Sequence, residues 1–164
     1  MVSIKAAFDA QNLIRTQPKK VATIIQQQMK EYKIESNKDW KEGYTHLLSQ
    51  PTLAPLKWSA PLALAAVDHC ADIGPKNRMS HTGTDGSKFW ERVKRHSKEL
   101  HPGAENIGVG FESGMDFLLQ FYIDEGVASR GHRKNIINEK FTLTGMASCK
   151  FGDYSDMLII VYAY

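Results

Sequence analysis

Two strand-like runs at the end of the chain place the strongest limit on its fold. Phe141 to Lys150 and Asp156 to Tyr164 are joined across Gly152–Asp153, a pattern typical of a β-hairpin. Segments of helical periodicity precede them, with one short strand-like run near Ile107 to Val109 between the helices. This order predicts an α+β fold, with a mostly antiparallel sheet covered by helices, rather than a series of βαβ units.

Helices are predicted where apolar residues recur every three or four positions. They cover residues 18–33, a segment that opens at Asp39, residues 60–73, a segment capped by Ser87, and residues 114–125. Asp39 and Glu42 have the spacing of a capping box, and Gly126 is placed to end the last of these helices. We expect residues 1–52 to form a helical segment packed on a core made by residues 53–164, the whole being one globular unit.

Length and charge exclude several classes of protein. The 164 residues suit one domain that needs no metal merely to fold. No apolar run is long enough to cross a bilayer, and a net charge of +3 does not indicate a nucleic-acid partner. The basic clusters Lys19–Lys20 and Arg92–Lys98 are interpreted as solvated helix faces. Because the start lacks an apolar leader, we expect either an intracellular chain or a mature form whose leader was left out.

The sequence lacks the motifs of common nucleotide and hydrolase sites. Residues 108–113 begin like a dinucleotide fingerprint, but the run ends in serine and no parallel strand with a terminal acid follows. Neither Ser80 nor Ser129 lies in a nucleophile elbow. Cys70 and Cys149 have no metal-type spacing and allow at most one internal bridge, which leaves the redox compartment open.

Two histidines and a few acids form the strongest candidate site. They are His81 in a polar loop, Glu105 beside a strand, Asp124–Glu125 at a helix end, and His132. Edges on the same side of a layered domain lie together, so these groups could converge at one mouth. A carboxylate bonded to each imidazole would fix its tautomer and raise its basicity, which suits a metal ligand or a proton acceptor.

Plain structural roles explain the same residues. A single loop histidine is usually solvated, and one of the two acids at the helix end could simply pair with Arg130 or Arg133. Glu105 could be a buried hydrogen-bonding hub at the sheet edge. His69 is interpreted as a core-facing helical residue.

Five motifs occur in order along the chain: Leu56-Lys57-Trp58, the helix from Leu62 to Cys70, His81-Thr82-Gly83, Ala104-Glu105-Asn106-Ile107 and Gly131-His132-Arg133-Lys134-Asn135-Ile136. Together they resemble the CAP superfamily, which comprises the cysteine-rich secretory proteins, insect antigen 5 and plant pathogenesis-related 1 proteins and whose domain is also called the SCP domain. The similarity spans residues 53–164, with Asn12 to Arg15 as a candidate for the family's first helix. The form of the last motif is similar to the microbial branch.

The resemblance implies a three-layer α-β-α sandwich whose central cleft carries two histidines and two acids. Matched residue by residue, this cleft tetrad is His81, Glu105, Asp124 and His132, with Glu125 as a rival for the third position. Some family members bind Zn or another divalent ion through the two histidines, and others bind sterols, fatty acids or eicosanoids in apolar grooves. The segment from Pro18 to Gln50 is long for the family, and we expect it to cover or extend the cleft.

Three functions are compatible with these residues. The leading hypothesis is a non-catalytic extracellular or cell-surface binding module that holds a divalent cation such as Zn through His81 and His132 and acts through a lipid, sterol or protein partner. The second is a metal-dependent hydrolase of peptides or esters, with Glu105 as general base. The third is a structural set in which the four polar side chains bond one another and no ligand binds. A cytoplasmic location stays open.

Overall fold

The computed structural model describes residues 1–153 and 155–164. The helices and strands in these residues are, in chain order, α1 (Ile4–Thr16), α2 (Pro18–Glu31), α3 (Lys38–Ser49), β1 (Lys57–Trp58), α4 (Ala60–Ile73), α5 (Phe89–His96), β2 (Pro102–Val109), α6 (Gly114–Ile123), α7 (Gly131–Ile136), β3 (Leu143–Phe151) and β4 (Ser155–Ala163).

The strands form one sheet in the order β1-β3-β4-β2. The predicted hairpin is confirmed as β3 and β4, which pair antiparallel, and β2 adds antiparallel to the other side of β4. Only the two-residue β1 runs parallel to its neighbour β3. The mostly antiparallel sheet is therefore confirmed, and β2 forms one of its two edges.

Helices cover both faces of this sheet. Alternate residues of β4 enter two different cores, as strand geometry requires. Leu158, Ile160 and Tyr162 pack in the core shared with α1, α2, α3 and α6. Met157, Ile159 and Val161 pack in the core shared with α4 and α5. The fold is thus a three-layer α-β-α sandwich, as the resemblance implies.

Close packing and a disulfide hold α4 on the sheet. At Gly145 of β3, an added Cβ would lie 2.1 Å from the backbone nitrogen of Ala63, so this contact requires glycine. Cys70 of α4 and Cys149 of β3 are bonded to each other, which settles the pairing that the sequence left open. No helix in the described part of the chain is long and apolar enough to span a membrane.

Several helix boundaries differ from the sequence predictions. The capping box at Asp39 is wrong, because α3 begins at Lys38 and the side chain of Asn37 accepts from the backbone of Asp39 and Trp40. The helix α6 ends at Ile123 rather than 125, since Asp124 takes a left-handed conformation with φ of 55°. Periodicity predicts no helix before residue 18, whereas α1 covers Ile4–Thr16 and contains the candidate first helix at Asn12 to Arg15.

Candidate functional site

The loop after α4 places His81 against a buried carboxylate of β2. Nδ1 of His81 donates to Oε1 of Glu105 at 2.9 Å, and the Nη2 of Arg92 donates to Oε2 of the same carboxylate at 2.7 Å. The side chains of Glu105 and Arg92 are 1% and 2% exposed, whereas that of His81 is 59% exposed. Glu105 therefore uses one oxygen on each partner and presents the imidazole to solvent.

Arg92 shows that one sequence interpretation was wrong. It begins the basic run read as a solvated helix face, yet it is buried and also donates to the backbone oxygen of Ser87 at 2.9 Å. A buried guanidinium needs a carboxylate and carbonyls for its donors, and Glu105 and the polar loop accept from its two terminal nitrogens, while Nε has no partner among the described residues. The one hint in the sequence was its place beside the apolar Val93.

His69 anchors the loop that carries His81. It is fully buried on α4, as predicted, and its Nε2 donates to the backbone oxygen of Ser80 at 2.7 Å. This bond fixes the neutral tautomer with the proton on Nε2. Burial lowers the pKa of His69 below its usual value, so the ring stays neutral.

The loop after α6 places His132 against a second carboxylate. Nδ1 of His132 donates to Oδ1 of Asp124 at 2.7 Å, and the backbone N–H of His132 donates to Oδ2 at 3.0 Å. Asp124 is 3% exposed at its side chain, and the His132 ring lies 5.0 Å from the ring of Phe121. The left-handed backbone at Asp124 turns its carboxylate back toward the first turn of α7.

Glu125 has a different set of partners. Its carboxylate accepts from Nδ2 of Asn37 at 2.6 Å and from Nε1 of Trp40 at 3.1 Å. It is Asp124, therefore, that bonds the second imidazole. The sequence left both acids as candidates for the third position of the tetrad. In the structure Asp124 bonds His132, and Glu125 bonds residues at the start of α3.

Acidic side chains of α3 pair with the two arginines that were alternative partners for Asp124 or Glu125. Arg130 bonds Oδ1 of Asp39 at 2.6 Å, and Arg133 makes two bonds to Glu42, at 2.5 and 2.9 Å. These arginines hold the pKa values of Asp39 and Glu42 below their usual range. The segment expected to cover or extend the cleft thus braces the α6–α7 loop through α3.

Two asparagines connect the histidine pairs through β2. Asn106 follows Glu105, so the two side chains point to opposite faces of the sheet. Nδ2 of Asn106 donates to the backbone oxygen of His132 at 3.2 Å, and Nδ2 of Asn135 donates to Oδ1 of Asn106 at 2.7 Å. Sequence analysis assigned no role to either asparagine, although both belong to the motifs that carry the family resemblance.

The two imidazoles line different cavities beside β2. His81 lines one of about 410 Å³ with Phe89, Trp90 and Asn135, and His132 lines one of about 200 Å³ with Phe121. Asn135 follows His132 by one helical turn, so α7 contributes to both surroundings. The four predicted residues thus form two separate pairs.

The arrangement leaves one nitrogen of each imidazole available. Nδ1 is used in both rings, and no described residue bonds Nε2 of either ring. A neutral imidazole with a carboxylate on Nδ1 is a good ligand for a divalent cation through Nε2. The described residues contain no group of three or more His, Cys, Asp or Glu side chains that could hold a metal.

Comparison with known proteins identifies the family. Residues 8–164 match the sequence pattern described as the Cysteine-rich secretory protein family, or CAP. The chain belongs to the CAP family. The resemblance carried by the five motifs is therefore confirmed, and the match begins within α1. A comparison with curated proteins finds no match.

Two bacterial structures share the CAP fold. An outer surface protein from Borrelia burgdorferi has a TM-score of 0.59 and 18% identity, covering 79% of this chain and 95% of that one. An extracellular protein containing an SCP domain from Bacillus anthracis has a TM-score of 0.57 and 26% identity, covering 73% of this chain. This chain spans only 37% of the Bacillus protein.

Proposed function

We propose that this CAP domain is a non-catalytic binding module whose cleft holds a divalent cation such as Zn through Nε2 of His81 and Nε2 of His132. One observation carries the proposal: both imidazoles bond a buried carboxylate through Nδ1 and leave Nε2 without a partner among the described residues. Such carboxylate–histidine pairs orient the ring for metal binding.

Two imidazoles supply half of a tetrahedral zinc site, so water or a partner would complete the coordination. We therefore expect moderate affinity. Protons compete with the metal for Nε2, so binding weakens as the solution is acidified. Zinc bound there would act as a Lewis acid that recruits an additional ligand into the cleft.

The positions of the acids favour binding over hydrolysis. A general base needs a carboxylate oxygen that can reach a water molecule. Both oxygens of Glu105 are occupied, by His81 and Arg92, and its side chain is 1% exposed. The hydrolase hypothesis therefore has no specific contact in its favour. The structural tetrad is not favoured either, since the two pairs do not bond each other: Glu105 bonds His81 and Arg92, and Asp124 bonds His132.

The partner and location belong to the same proposal. The cavity of about 410 Å³ beside His81 is walled by Phe89 and the half-exposed Trp90, which suits the apolar part of a lipid, sterol or protein ligand. The disulfide between Cys70 and Cys149 favours an oxidising compartment, and we infer an extracellular or cell-surface location.

Isothermal titration calorimetry with zinc chloride tests the metal site. We expect the unaltered chain to bind zinc, and expect His81→Ala and His132→Ala each to abolish most of the heat. His101→Ala is the matched control, because His101 is exposed and no described residue bonds its imidazole. Zinc binding that survives both cleft substitutions, or no binding by the unaltered chain, would reject the proposal.

A further inference from the structure

Two adjoining cavities lie beside the end of β2 and α6, and His132 lines one of them. They have volumes of about 200 and 300 Å³ and share Phe111 and Gln120. Aromatic rings line both cavities: Phe121 lies in the one beside His132, and Tyr32, which directly follows α2 and is 59% exposed, lies in the other. We call this surface the β2–α6 groove.

The β2–α6 groove is lined by acids without balancing cations. Glu112, Asp116, Asp124 and Glu125 all line it, and none of its described lining residues is a lysine or arginine. Asp124 pairs with His132, whereas the other three carboxylates make no ion pair to any residue that the structure describes. The whole chain carries a net charge of +3, so the charge of the groove is opposite in sign to that of the chain. Charge complementarity therefore favours a cationic occupant.

The main chain of β2 adds a second kind of recognition. The N–H of Gly110 donates to the oxygen of Asp156 at 2.9 Å, continuing the register in which Val109 faces Met157. Bonded and non-bonded pairs alternate in an antiparallel ladder, so the N–H and C=O of Val109 point away from β4, toward the free edge. Val109 is half-buried and lines the groove, and no loop or side chain among the described residues bonds its backbone.

We propose that the β2–α6 groove binds an extended segment of a partner protein that carries lysine or arginine next to apolar residues. The backbone of that segment pairs with Val109 at the strand edge. Its cationic side chains lie against Glu112 and Asp116 and over the faces of Phe111 and Tyr32. A simple polyamine offers the charge but neither the backbone partners nor the apolar side chains. This inference uses no metal and does not rest on the zinc site.

Selection from a phage-displayed heptapeptide library against the full chain, with a chelator present, tests the proposal. We expect enrichment of peptides that combine lysine or arginine with apolar residues. A fluorescein-labelled copy of the enriched peptide should bind more weakly as salt rises, measured by fluorescence anisotropy. The double variant Glu112→Gln/Asp116→Asn should weaken it by about tenfold, because two exposed charge pairs are lost.

The matched control is Glu35→Gln/Glu99→Gln, which removes two exposed acids outside the groove and should leave affinity unchanged. A peptide with each cation replaced by glutamate should not bind the unaltered chain, a result that is independent of how any variant folds. Failure to enrich cationic peptides, equal weakening in the control variant, or equally tight binding of spermine would overturn the proposal. Because the chelator removes zinc, failure here leaves the metal proposal standing.

Discussion

His69 lies beneath the loop that presents His81, and its single bond to Ser80 determines where that loop passes. The imidazole donates from Nε2, while its Nδ1 has no partner among the described residues. Protonation of His69 would place a positive charge in the core next to Arg92. The charge of Arg92 also lowers the pKa of His69, although less than burial does. The position of one candidate ligand therefore depends on a buried histidine that stays neutral.

This gives a prediction about pH. Since the pKa of His69 is lowered by folding, the unfolded chain gains a proton below about pH 6.5 while the folded chain does not, and stability falls. The loss can reach about 1.4 kcal/mol per pH unit for one such group. We expect the free energy of unfolding, measured with urea, to fall less between about pH 6.5 and about pH 5.5 in His69→Asn than in the unaltered chain.

His101→Asn is the control, and it should keep the full loss. His46→Asn should also reduce it, because burial lowers the pKa of His46 in the same direction. An identical pH dependence in His69→Asn and the unaltered chain would show that His69 does not titrate as described.

At the scale of elements, α3 is the brace for the α6–α7 loop. Arg133 is 3% exposed, donates to the backbone oxygens of Tyr122 and Ile123, and reaches Glu42 of α3 with both terminal nitrogens. Asp39 adds a bond from the backbone N–H of Gly126 at 2.9 Å. The turn between Asp124 and His132 is therefore fixed by contacts from outside itself.

We predict that Glu42→Ala lowers the free energy of unfolding by about 2 kcal/mol, because it leaves a buried guanidinium without its carboxylate. Solvent screens part of the charge interaction, because the Glu42 side chain is 45% exposed. Urea denaturation measures the change, with Glu31→Ala on the exposed surface of α2 as the control. Equal unfolding free energies for the two variants would contradict the bracing role.

Which elements the sequence could predict follows from how distinct their patterns are. The hairpin and α2 and α4 have strong periodicity, and they were placed within a few residues. The helix α1 was missed because small residues such as Ala7 and Ala10 occupy its buried face, so the apolar stripe is faint. The capping box failed because Asp39 and Glu42 bond arginines about 90 residues later, which local spacing cannot reveal.

The candidate site, too, could be predicted only in part from the sequence. The motifs singled out His81, Glu105, Asp124 and His132; Glu105 lies within β2, and the other three lie in a loop or next to a helix end. The sequence could not tell Asp124 from Glu125, because the choice depends on the left-handed turn and on Trp40. The burial of Arg92 could not be predicted, because the basic residues that follow it in the run are mostly exposed.

At the scale of the whole molecule, the disulfide connects two layers of the sandwich. Cys70 and Cys149 are 79 residues apart, so the bridge removes much of the freedom of the unfolded chain. A loop of that length corresponds to roughly 4 kcal/mol in the chain-entropy account. We predict that Cys70→Ala/Cys149→Ala lowers the free energy of unfolding by about this amount in urea titration. A loss below about 1 kcal/mol would show that the bridge contributes little.

The two proposed zinc ligands belong to different parts of the fold: His81 lies in the loop between α4 and α5, and His132 lies in α7. Zinc held by both imidazoles would therefore connect these two parts. Because Nε2 is the free nitrogen of each ring, the ion can contact the imidazoles only there. The expected zinc–nitrogen distances are about 2.0–2.1 Å.

The most direct measurement is a crystal structure of the zinc-soaked chain, with diffraction recorded on both sides of the zinc absorption edge. We predict one anomalous peak within bonding distance of Nε2 of both His81 and His132. A peak on other residues only, or no peak at the cleft, would show that these histidines do not hold zinc together.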